Sequence, residues 1–179
     1  MAEYHGFQAV DITSYATFKA QVNGNGYDID GYYGAQCWDG VDLLWRNLPD
    51  NPRTFLLGPQ GWAYEGWAIP SSRIANAGTE FDLIYSIDDV IQGDVLVFGI
   101  GGWVGEAGHV AFADEDYQGG NYINCLGQNQ GGGIPFSTGG ACFNVQNLYF
   151  TNFLGAFRYK AWQSTPPPPP PVQTHKKSK

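Results

Sequence analysis

The side chains able to act as a nucleophile or a base are few. The 179-residue chain has three cysteines and three histidines. His5 stands among the first residues and His175 near the end, which leaves His109 as the histidine placed to serve a core site. Cys125 and Cys142 could pair with each other, leaving Cys37 as the odd thiol. Cys37 opens the run Cys-Trp-Asp-Gly-Val-Asp-Leu-Leu-Trp-Arg-Asn-Leu, so it sits near a helix N-terminus. There, unpaired backbone N–H groups and the helix dipole favour thiolate over thiol. A histidine beside such a sulfur can take its proton and return it to a leaving amine, which is the chemistry of acyl transfer. The alternative is a Cys37 that is simply a small buried hydrophobe. A zinc site built from Cys37, Cys125, Cys142 and His109 is weaker, because no Cys-x-x-Cys or His-x-x-x-His spacing is present.

A second constellation lies just upstream. Asp28, Asp30, Tyr32, Gly34 and Asp39 occupy positions 1, 3, 5, 7 and 12 of a twelve-residue window, the ligand spacing of an EF-hand loop. The aspartates would supply carboxylates, Tyr32 and Gly34 backbone carbonyls. Position 6, where the EF-hand has glycine, is Tyr33 here, with Gly31 nearby, and Asp39 is shorter than the usual glutamate at position 12. The spacing predicts a structural Ca2+ that ties this loop to the helix after it. The competing reading is a solvated acidic loop whose aspartates cap turns.

These residues need elements to hold them. Residues 14–23 read as a short amphipathic helix capped by Thr13 or Ser14 and stopped by Gly24 and Gly26. From Cys37, apolar residues at Trp38, Val41, Leu44, Trp45 and Leu48 have helical spacing, ended by Pro49 and Pro52. A further helix is expected at 71–77. Residues 82–85, 94–100, 109–114, 122–126 and 154–159 read as strands between glycine-rich turns. Helices first and strands second predict an α+β domain, its N-terminal helices packed on an antiparallel sheet.

Composition narrows the function classes. With 17 acidic against 9 basic residues the net charge is -8, which argues against a phosphate-tracking nucleic-acid binder and against adsorption to an anionic membrane. No apolar run is long enough to span a membrane, and the first residues lack a secretory signal. After Trp162 the composition changes abruptly, and residues 163–179 hold six consecutive prolines and a basic end. We therefore divide the chain into a domain over 1–162 and a proline-rich linker and basic tail over 163–179, with a further domain or a partner expected beyond the linker.

The stretch Asp28-Ile-Asp-Gly-Tyr-Tyr-Gly-Ala-Gln-Cys-Trp-Asp39, then Gly93-Asp-Val-Leu-Val-Phe98, Gly108-His-Val-Ala-Phe112 and Leu126-Gly-Gln-Asn-Gln130, resembles the CHAP family. These are cysteine, histidine-dependent amidohydrolase/peptidase domains of phage endolysins and bacterial wall hydrolases. The resemblance covers roughly Ser14–Tyr159 and implies a papain-like, NlpC/P60-type fold. It implies Cys37 as nucleophile, His109 as general base, Asn129 as the residue orienting the imidazole, and Gln36 beside the Cys37 N–H as an oxyanion donor. The family's Glu-x-Asn place reads Gly127-Gln128-Asn129, so the acid is missing, and Glu106 or another acid is a candidate replacement. Calcium binding by relatives supports the Asp28 loop. The implied substrate is peptidoglycan, met by an aromatic surface drawn from Tyr32, Tyr33, Trp62, Tyr64, Trp67 and Trp103. The implied setting is a monomeric phage enzyme made in the host cytoplasm and released by a holin. The alternatives are a catalytically silent wall-binding module of the same fold and a bacterial wall-remodelling hydrolase.

Overall fold

The computed structural model describes residues 2–163. The elements run β1 (Tyr4–His5), α1 (Tyr15–Val22), β2 (Gly26–Tyr27), α2 (Cys37–Arg46), α3 (Glu65–Ala68), α4 (Pro70–Ala77), β3 (Phe81–Ile84), β4 (Val95–Phe98), β5 (His109–Ala113), β6 (Tyr122–Gly127), β7 (Asn144–Tyr149), β8 (Phe153–Tyr159) and α5 (Lys160–Gln163). The last six strands form one sheet in the order β3-β8-β4-β5-β6-β7, every pair antiparallel. This is the predicted α+β arrangement, with the cysteine-bearing helix laid on an antiparallel sheet as in papain-like folds.

The helices start where the sequence provides caps. Ser14, not Thr13, caps α1, its Oγ accepting the N–H of Thr17 at 3.1 Å. Pro70 opens α4 at a position where a missing N–H costs nothing. Asp39, the third residue of α2, turns back to accept the N–H of Gln36, and Arg46 in the last turn suits the negative end of the dipole.

Val41, Leu44, Trp45 and Leu48 are buried, so α2 presents its apolar stripe to the sheet. Trp45 stacks on Phe81 with centroids 4.3 Å apart and meets Phe55 and Phe157 edge-on. The indole N–H groups of Trp38 and Trp45 donate to the carbonyls of Phe55 and Asn76, leaving neither donor orphaned. All five residues of β5 are buried, which fixes His109 on the most central ladder of the fold, opposite Phe98 of β4. Asp94, just before β4, is buried and answered by a two-point contact from Arg158 of β8.

Two expectations change. Strand β7 reads poorly in sequence because it is the sheet edge, and only Leu148 of its six residues is buried. Cys125 and Cys142 are both buried and both free thiols, so no disulfide joins them; Cys142 Sγ instead accepts the N–H of Ile134. Trp162 anchors α5, donating its indole N–H to Ile12 and packing edge-on against Tyr15. The expected linker therefore begins at the last residue of a helix, and its remainder, residues 164–179, lies outside the described residues.

Candidate active site and metal loop

Cys37 is the first residue of α2 and His109 the first of β5, and α2 packs on β5. The half-buried thiol lies against the backbone N–H of Val110, the residue after His109, and of Trp38. These donors favour the thiolate, but burial outweighs them and pushes the thiol up to about 11. Burial likewise pushes the His109 imidazole down to about 4. The resting pair is thus a thiol and a neutral imidazole. Burial thus opposes the thiolate that the helix terminus and its N–H donors favour.

The imidazole is enclosed by aromatic rings, Trp103 edge-on at 5.6 Å and Phe98 tilted at 6.4 Å. Its Nε2 lies 3.2 Å from Oε1 of Gln130. Gln130 is buried, and its Nε2 donates to the carbonyls of Cys125 and Asn144 at 2.9 and 2.8 Å. Both amide hydrogens are therefore committed, and the atom facing the ring is an acceptor only. The ring must carry its proton on Nε2, which leaves the Nδ1 lone pair as the base.

This corrects the assignment of the orienting residue. Asn129 has a left-handed backbone, φ 53°, and its side chain is bonded to Gln36. Its Nδ2 donates to Gln36 Oε1 at 2.7 Å, while Gln36 Nε2 donates to the carbonyl of Tyr33 at 2.6 Å. Asn129 and Gln36 thus form one amide chain beside Cys37 rather than a support for His109. Glu106 is exposed on the loop before β5, and the ring nitrogen it was a candidate to serve is bonded to Gln130. Gln128, to which the sequence assigns no role, is fully buried. It accepts from the N–H of Tyr27 and donates to the carbonyls of Tyr27 and Gln36, each at 2.7 Å.

The acidic loop closes on itself. Carboxylate oxygens of Asp28, Asp30 and Asp39 lie within 4.8 Å of one another, the only such cluster of potential metal donors among the described residues. That excludes there the zinc set of Cys37, Cys125, Cys142 and His109. Asp28 and Asp30 accept the N–H groups of Gly31 and Tyr32, and Tyr4 donates its hydroxyl to Asp28. Asp39 is buried, and burial, with Asp30 and Asp28 nearby, raises its carboxyl to about 7. Three hard oxygen donors gathered with uncompensated like charge fit a divalent cation such as Ca2+, with the carbonyls of Tyr32 and Gly34 available from the same loop. Gly34, at φ 74°, must be glycine, since a Cβ there would overlap the carbonyl of Gly139.

Of the expected aromatic surface, Tyr32 and Tyr33 are exposed, Trp103 is partly so, Trp62 and Tyr64 are half-buried, and Trp67 belongs to the core.

No family model matches the chain. It is 35% identical over 156 residues to a D-alanyl-L-alanine endopeptidase of Streptococcus phage B30, an alignment that takes in 86% of this chain and 32% of that protein. The chain thus spans about a third of the length of that relative. Among solved structures it superposes on the wild-type endolysin LysIME-EF1 with a TM-score of 0.61 and 25% identity, over 85% of this chain and 66% of that one. Over most of its length, then, the chain is similar to a phage endopeptidase in sequence and to an endolysin in fold.

Proposed function

We propose that the chain is a CHAP-type catalytic domain of a phage endolysin, a peptidoglycan hydrolase that cuts an amide bond through Cys37. The observation that carries this reading is the buried His109 ring, its Nε2 3.2 Å from Gln130 Oε1, on the strand whose Val110 N–H meets the Cys37 thiol at the head of α2. The name of the phage relative favours an endopeptidase acting on a D-alanyl-L-alanine link over an amidase cutting the muramoyl-alanine bond.

In the first step Sγ of Cys37 attacks the carbonyl carbon as its proton passes to His109 Nδ1. A general-base route of this kind suits a pair that rests uncharged. The tetrahedral oxyanion is met by the backbone N–H of Cys37 and by the amide hydrogen of Gln36 not engaged by Tyr33. Collapse expels the amine, which takes the proton from Nδ1 and leaves a thioester on Cys37. Water then gives a proton to Nδ1 and attacks the thioester, and the returning proton restores the thiol. Asn129 holds Gln36 in orientation through the latter's Oε1. Ca2+ held by Asp28, Asp30 and Asp39, with the Tyr32 and Gly34 carbonyls, would fix the segment that delivers Cys37 and would take no part in bond breaking.

Among the described residues no helix is long and apolar enough to cross a membrane. Holin-dependent access to the wall and a targeting module beyond residue 163 belong to the same proposal.

Purified Gram-positive cell walls treated with parent protein and Cys37→Ala, followed by mass spectrometry of the released fragments, test it. Loss of turbidity with the parent alone, and new amino termini on L-alanine, are expected. Binding without lysis by the parent would replace this reading with that of a wall-binding module.

A further inference from the structure

We propose that Gln130 is the positioning residue of His109 and stands in the space a side chain at position 127 would fill, so that Gly127 and Gln130 act as one exchangeable pair. The inference rests on the Cys37–His109 reading above and concerns what holds its base.

Four observations converge. The amide orientation of Gln130 is fixed by two donated hydrogen bonds to backbone carbonyls, so its Oε1 cannot swap with its Nε2 without losing both. The Nε2–H of His109 has that oxygen as its partner in a buried, aromatic-walled site, where an unpaired N–H would be costly. Asn129 is committed to Gln36. Finally, a Cβ placed on Gly127 would lie 2.9 Å from Cδ of Gln130 and 3.0 Å from Cβ of Ala111, with Oε1 of Gln130 closer still. A side chain at 127 and the amide of Gln130 cannot occupy that volume together. A carboxylate carried at 127 would enter the same space, which explains why the acid is absent from 127 while the imidazole keeps an acceptor.

The difference between the two solutions is charge. An amide oxygen fixes the tautomer as a carboxylate does, but it stabilises the imidazolium less. Gln130 therefore holds the ring through a neutral acceptor where a side chain at 127 could offer a charged one.

The test uses the full chain with Ca2+ and four proteins: the parent, Gln130→Ala, Gly127→Ala, and Gly127→Glu combined with Gln130→Ala. Ring 15N NMR of His109 at neutral pH should show the parent protonated on Nε2 alone and Gln130→Ala as a tautomer mixture. With a soluble muropeptide, Gln130→Ala and Gly127→Ala should each lose about 10²–10⁴-fold in kcat with KM little changed, because proton transfer and not binding is impaired. The double variant should recover most of that loss and move the acid limb of its pH profile upward. A parent ring protonated on Nδ1 would overturn the proposal, as would a Gln130→Ala protein with parental kcat and ring signals. A double variant no better than Gln130→Ala would overturn the exchange. Should Gln130→Ala fail to fold, the parent spectrum and the double variant decide. A parent inactive on every wall would refute the hydrolase reading and leave the ring assignment standing.

Discussion

Gln128 pairs with Tyr27 as another strand would, its side-chain amide accepting from the Tyr27 N–H and donating to the Tyr27 carbonyl, both at 2.7 Å. Its second amide hydrogen reaches the carbonyl of Gln36, immediately before the nucleophile. One buried side chain thus fixes both ends of the acidic loop, where it begins after Tyr27 and where it delivers Cys37. It does so from the residue that follows β6, two positions before Gln130.

Gln128→Leu keeps the volume and removes all three bonds, leaving three backbone groups unsatisfied. A loss of about 2–4 kcal/mol is expected, from roughly 1–3 kcal/mol for each buried group, partly recovered by water. Chemical denaturation of parent and variant measures it. A variant as stable as the parent would mean that water enters the site and replaces the amide fully.

The acidic loop separates two roles of aspartate. Asp30 is exposed and its one hydrogen bond is to the Tyr32 N–H two residues on, whereas Asp39 is buried and accepts from both Ile29 and Gln36. Asp30→Asn should leave the metal-free melting temperature near that of the parent and abolish the rise produced by Ca2+. Asp39→Asn should lower the metal-free value as well, since its amide nitrogen cannot accept the N–H of one of those partners. A Ca2+-induced rise that survives Asp30→Asn would refute the three-carboxylate site. Chelation should lower lysis by the parent and leave that of an already metal-blind Asp30→Asn unchanged.

The elements that carry the site were legible because each rests on a local signal: the apolar stripe from Val41 to Leu48, the Ser14 cap, the Pro70 start, and the apolar runs of β4 and β5. Cys37 at a helix head and the aspartate spacing follow from order along the chain. The imidazole's partner does not. Three amides stand consecutively at Gln128, Asn129 and Gln130, with a left-handed residue at 129 between the two glutamines, and of the three it is Gln130 that meets the ring. That φ, and the filling of the space over Gly127 by the Gln130 amide, are properties of the folded chain. The protonation state was illegible for a similar reason: it depends on how deeply Cys37 and His109 are buried, while sequence reports only the helix end.

Because burial pushes the Cys37 thiol up to about 11, the free protein should react slowly with iodoacetamide at neutral pH. In the presence of chelator its alkylation rate should climb steadily through pH 8–10, by about tenfold per unit. Cys125 and Cys142, both buried, should remain unlabelled in the folded state. A rate already at its plateau at pH 7 would show a preformed thiolate–imidazolium pair and refute the general-base route.

His109 sets an acid limit on folding. In the unfolded chain its imidazole takes up a proton near its ordinary value of 6.5, whereas in the folded protein burial holds it neutral down to about 4. The unfolded state therefore binds more protons between these values, and stability falls as pH is lowered through that window. The full penalty, reached below pH 4, is roughly 3 kcal/mol from the size of the shift. Other groups titrate in the same range, Asp39 among them with the opposite sign, so the measurement is a difference. Urea denaturation of the parent and His109→Gln is compared at each pH with the same Ca2+. The advantage of the parent over the variant should shrink as pH falls from 7 towards 4. A gap that stays constant across that range would mean that the imidazole protonates as readily in the folded state as in the unfolded one.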